Sequence, residues 1–143
     1  METLLLPLLI WIGAISDAAE MQYNGQQLPT VGYADHIELV RMARGKDADP
    51  KDYNLQGLYN NNTRKIWLRI GLDVKTKRGE AVLVHELVHY LQDVNGTMVM
   101  AKCTAANEAQ AYSLEGMYRK TYGVRVPWDE MTVLLRSQCA GGA

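Results

Sequence analysis

The stretch Gly79-Glu80-Ala81-Val82-Leu83-Val84-His85-Glu86-Leu87-Val88-His89-Tyr90-Leu91-Gln92-Asp93-Val94 decides how this chain is read. Its apolar residues recur on more than one side of a 3.6-residue period, so it is predicted to be a helix lying inside a domain. Asn95-Gly96 supplies the stop. On this apolar helix His85, Glu86 and His89 stand out. Residues four apart differ by about 40° in direction and about 6 Å in height, so both imidazoles leave on one side. Two imidazole nitrogens can then share one ion at about 2.0–2.1 Å, the usual zinc–nitrogen distance. Glu86 lies one step round the helix, where its carboxylate can approach a metal-activated water without being a ligand. The competing reading, polar residues on a solvated face, fits poorly beside Val84, Leu87 and Val88. A buried, unpartnered carboxylate there would be costly.

Outward from this helix, the rest of the chain supplies a small α+β frame. Leu28-Pro29-Thr30-Val31 reads as a short extended piece, and Asp35 to Arg44 as a helix stopped by Gly45. Gly45 to Asn54, with Asp49-Pro50, reads as a loop. Leu58 to Ile70 reads as a hairpin turning at Asn60-Asn61-Asn62. In its second arm Lys65, Trp67 and Arg69 alternate with Ile66, Leu68 and Ile70, the period of a half-buried strand. Downstream, helices are predicted from Cys103 to Tyr122 and from Pro127 to Cys139. The order of helix, hairpin and three helices predicts an α+β domain with a small sheet.

With 143 residues, 48% apolar and 22% charged, the chain suits one compact domain. Fifteen Lys plus Arg oppose sixteen Asp plus Glu, a net charge of −1, so the electrostatic basis for nucleic-acid binding is missing. Leu4 to Ile15 is too short to cross a bilayer but matches the hydrophobic segment of a signal peptide. Ala14-Ile15-Ser16 offers small residues for cleavage, although Met1-Glu2-Thr3 lacks the usual basic start. We expect residues 1–16 to be a signal peptide or N-terminal apolar segment, residues 17–143 to form the domain, and the protein to be exported. The other reading of the segment is a buried first helix. Two cysteines, Cys103 and Cys139, could join in an exported protein or lie as small core residues in a reducing one, and the sequence leaves both open.

Catalytic zinc sites combine three protein ligands with a water. His36 is the only other histidine, and none follows His89, so a third downstream histidine ligand is excluded; no cysteine precedes His85. The third ligand is then Cys103 or a carboxylate on the next helix. Glu108 and Glu115 share a face there, seven residues apart. Glu108 is preferred, because Ala109 and Ala111 beside it let two helices approach closely, and Glu115 also reads as a solvated surface charge.

His85-Glu86-Leu87-Val88-His89 followed by Glu108 resembles the gluzincin metallopeptidases, zincins whose third zinc ligand is a glutamate. Asn107-Glu108 is similar to the Asn-Glu of the thermolysin-type signature. The Ser-Asp that usually follows is replaced by Ala111-Tyr112, so the aspartate that would orient a ligand histidine is absent from that place. The resemblance spans about Leu58 to Tyr122, and the small size is similar to the single-domain minigluzincins. It implies a zincin-like fold in which a strand ahead of the active helix, here Lys65 to Ile70, holds a peptide substrate along its free edge. It implies further that His85, His89 and Glu108 bind Zn²⁺ and that Glu86 is the general base of a zinc-dependent endopeptidase. Tyr112, Tyr118 and Tyr122 become candidate oxyanion donors. The expected substrate is a peptide or unfolded protein, and the expected enzyme is a monomer with no nucleic-acid partner and no stable membrane span. The alternative function is an inactive zincin-like module that binds zinc and a partner.

Overall fold

A computed structural model describes residues 1–99 and 105–129 of the chain. Four helices and three strands follow one another as α1 (Glu2–Ser16), β1 (Thr30–Ala34), α2 (His36–Arg44), β2 (Gly57–Asn60), β3 (Lys65–Arg69), α3 (Lys77–Val94) and α4 (Ala105–Thr121). This is the small α+β domain the sequence predicts. Among the described residues no helix is long and apolar enough to cross a membrane.

Helix α3 starts two residues before the predicted Gly79. Thr76 caps it, its hydroxyl accepting from Gly79 N at 3.0 Å and donating to the Asp73 carbonyl at 2.7 Å. A Cβ at Gly79 would lie 2.0 Å from that carbonyl oxygen, so only glycine lets the preceding loop cross so close to the helix. Every residue from Ala81 to Gln92 is buried, as a helix apolar on several sides requires. Helix α4 packs along it, with Ala111 wholly buried.

The sheet is ordered β1-β3-β2, with β3 parallel to β1 and antiparallel to β2. Ile66 and Leu68 of β3 are fully buried, as the predicted alternation requires, but Ile70 lies past the end of the strand and is 62% exposed. The expected free edge at Lys65 to Ile70 does not exist. β3 is the central strand, because Thr30–Ala34 pairs on its second side over five residues, from Thr30↔Lys65 to Ala34↔Arg69. The strand that runs beside α3 with an outer edge is β2. In the hairpin turn the Asn60 side chain accepts from Asn62 N at 2.9 Å, and Arg64 takes a left-handed conformation at φ 50°.

The apolar run at the N-terminus forms α1 and packs on α3. Leu5, Leu8, Leu9 and Ile12 join the same core as Leu83, Leu87, Leu91, Ile66 and Tyr118. An apolar run of this length serves a leader or a core helix equally well, and here it covers the back of α3. The segment after it is tied down by Asn95, whose side chain donates to the Glu20 and Gln22 carbonyls at 2.8 and 3.1 Å. Cys103, Cys139 and most of the helix predicted from Pro127 lie outside the described residues; Pro127 to Asp129 are described and are not helical.

Candidate metal centre

His85 and His89 leave α3 one turn apart, with ring centroids 5.0 Å from each other, and are almost wholly buried. Glu108, in the first turn of α4, reaches both from across the helix pair. Its Oε1 lies 2.6 Å from His89 Nε2 and its Oε2 3.4 Å from His85 Nε2. One ligand atom from each of the three residues lies within 4.8 Å of the other two. The Glu108 side chain keeps 35% of its surface exposed, so the centre opens to solvent on the α4 side.

The protonation of the two rings follows from what holds them. His85 Nδ1 lies 2.9 Å from Glu115 Oε1, and an ionised carboxylate only accepts, so that nitrogen carries the proton. His89 Nδ1 lies 2.9 Å from Gln92 Oε1. The Gln92 amide cannot be turned round, because its Nε2 donates to the Asn107 carbonyl at 3.1 Å and to Gln110 Oε1 at 2.9 Å. His89 Nδ1 therefore also carries a proton. Were the rings neutral, each would point a bare Nε2 at a carboxylate, acceptor against acceptor. Only an added proton or a metal cation satisfies that arrangement.

The electrostatics agree. Burial would depress the His85 imidazole, but its bonds to Glu108 and Glu115 outweigh burial and raise it well above its ordinary value. Burial would likewise raise Glu108, and the two histidines reverse this and hold it well below the usual carboxylate range. The donor set also fits zinc: two imidazole nitrogens and a carboxylate are its preferred mixed ligands. Tetrahedral ligands about 2.0–2.1 Å from an ion lie about 3.3–3.4 Å from each other. The His85–Glu108 separation of 3.4 Å has that value already, whereas the 2.6 Å between His89 Nε2 and Glu108 Oε1 is a hydrogen-bond distance that must open to admit an ion.

Glu86 lies beside the three candidate ligand residues, 5% exposed, with its carboxyl raised by burial against the opposing pull of His85 and His89. It rests on the backbone of β2 at Gly57. A Cβ there would sit 3.0 Å from Glu86 Oε2 and 3.3 Å from the Trp67 carbonyl, so glycine makes the space the carboxylate occupies. Nothing in the sequence singled out Gly57.

Glu115 is neither a surface charge nor part of the ligand cluster. It is 5% exposed and lies behind His85, where its second oxygen accepts from Arg119 Nε at 2.8 Å. The i,i+4 spacing of Glu115 and Arg119 was a readable signal for that pair. Gln92 and Asn107 also escaped sequence reasoning as second-layer residues. Asn107 fastens the chain ahead of α4, donating to the Val99 carbonyl at 2.9 Å and accepting from Val99 N at 3.0 Å. Of the three tyrosines, Tyr112 alone borders the centre, its ring 4.6 Å from that of His85. Tyr118 donates to the Glu80 carboxylate and packs edge-on against Trp11, while Tyr122 receives the Lys77 ammonium on its ring face. Both serve the start of α3.

No curated protein and no solved structure matches this chain. A family model described as a domain of unknown function (DUF6647) matches residues 1–142. The chain thus belongs to the DUF6647 family.

Proposed function

We propose that this protein is a zinc-dependent endopeptidase of gluzincin type, acting on peptides or unfolded proteins. The observation that carries the reading is the convergence of His85 Nε2, His89 Nε2 and the Glu108 carboxylate, with the buried Glu86 carboxylate beside them. Bound by those three residues, zinc would supply Lewis acidity toward a scissile carbonyl and an attacking water. Glu86, next to both histidines on α3, would accept the proton of an attacking water and return it to the leaving amine nitrogen. The outer edge of β2, from Gly57 to Asn60, supports binding of an extended substrate through backbone hydrogen bonds directly over Glu86. Tyr112 is our choice for the oxyanion donor among the three tyrosines, on its contact with His85.

The test is cleavage of a broad peptide library by wild type and by Glu86→Gln, with the zinc content of both recorded. Equal zinc and cleavage by wild type alone is the expected outcome. Equal zinc with neither protein cleaving would instead identify a zinc-binding interaction module. We also propose export, on the apolar run at Leu4 to Ile15 and the small residues before Asp17. The N-terminal residue of protein recovered from its host reads this. A chain starting near Asp17 would have lost Leu5, Leu8, Leu9 and Ile12 from the core, and one starting at Met1 would count against cleavage.

A further inference from the structure

Beyond the three ligand residues and the base, one buried ion pair touches the centre without being part of it. Glu115 and Arg119 are each 5% exposed. The two oxygens of Glu115 are divided between two donors, His85 Nδ1 at 2.9 Å and Arg119 Nε at 2.8 Å. A carboxylate buried with only a neutral imidazole for company would be costly, and Arg119 supplies the missing countercharge. The same guanidinium reaches past α4: its Nη1 donates to the Arg125 carbonyl at 2.9 Å, and its Cζ lies 5.5 Å from the centre of the Trp128 ring. Trp128 in turn stands edge-on to Tyr112 at 5.0 Å, and Tyr112 edge-on to His85 at 4.6 Å. The return segment after α4 therefore meets His85 twice, through an ion pair and through two aromatic rings.

His89 is held differently, by the neutral amide of Gln92. We infer that Glu115, locked by Arg119, is the positioning residue of His85, filling from one turn further along α4 the role left vacant at Ala111-Tyr112. The same pair makes the chain segment at Arg125 part of what fixes that ring. This rests on the metal-site reading above. An anionic partner on Nδ1 fixes the tautomer and ring orientation and raises the basicity of Nε2, whereas an amide does the first two with less of the third.

The experiment is a zinc affinity measurement on the full chain by competition with a chromophoric chelator, with the visible spectrum of the Co²⁺-substituted protein as a second readout. Glu115→Gln combined with Arg119→Met leaves an amide oxygen able to accept from His85 and no unpaired charge in the interior. We expect it to bind one zinc with an affinity lowered about tenfold or more and a shifted Co²⁺ spectrum. Val40→Ala, which opens a fully buried position on α2, the helix packed against β2 and β3, controls for stability and should leave zinc affinity at the wild-type value. Should the double variant fail to fold, Glu115→Asp takes its place; withdrawing the carboxylate by one methylene should also weaken zinc. A folded variant of either kind with wild-type affinity and spectrum overturns this inference alone. Wild type that takes up no zinc overturns it together with the metal-site reading.

Discussion

Helix α3 buries every residue from Ala81 to Gln92, whereas α4 buries seven scattered positions in seventeen. Both contribute to one centre, but by different means. On α3 the polar residues are surrounded by core, and three of them are held by partners, His85 by Glu115, His89 by Gln92, and Gln92 by the Asn107 carbonyl, while Glu86 rests against Gly57. On α4 two glutamates on one face have separate fates. Glu108 stands at the open end and keeps a third of its surface, and Glu115, seven residues on, is sealed behind a histidine. The helix with no choice of environment marks its candidate site in its composition. The helix with a mixed face assigns roles by position along the partner.

The largest effects are expected on α3. His85→Ala and His89→Ala should each take the zinc content from about one per chain to none, read by metal analysis, because two ligands cannot retain a site that three build. If either variant retains stoichiometric zinc at wild-type affinity, α3 does not supply the ligands. Next in size, Glu86→Gln should keep its zinc while cleavage falls by about 10²–10⁴-fold, the usual worth of a general base. On β2, Gly57→Ala pushes a methyl against Glu86 Oε2, so cleavage should drop by about tenfold to a hundredfold with zinc retained. Unchanged kcat/KM there would mean that the carboxylate does not depend on the space glycine leaves. At the back of α3, in protein that retains α1, Leu9→Ala should cost about 2–5 kcal/mol in thermal or denaturant unfolding, with zinc stoichiometry intact while the protein is folded. A negligible cost would show that α1 contributes little to the core.

The helical frame of this site was legible because it is local. The period of α3 and its stop at Asn95-Gly96 are written in consecutive residues, and the pentapeptide from His85 to His89 marks which side carries the candidate site. Glu108 was reachable by elimination and by the small residues around it. Strand order was not, because β1 reaches β3 only by pairing across thirty residues of intervening chain, and Thr30–Ala34 carries no sign of which neighbour it will take. This is why the rim of the cleft falls to β2. The Glu115 assignment was hidden for a related reason: a glutamate two turns along a helix faces solvent or core according to how far the neighbouring helix extends. Gly57 was hidden because the side chain whose absence matters belongs to a contact between distant segments.

The central claim is that one zinc ion is held from two helices by two imidazoles and one carboxylate. X-ray absorption at the zinc edge on the full-length protein tests it most directly. The account predicts nitrogen and oxygen scatterers only, two of them imidazole, at about 2.0–2.2 Å. A sulfur scatterer at about 2.3 Å would assign the third position to Cys103 or Cys139 instead of Glu108, and a protein that retains no zinc would contradict the account outright.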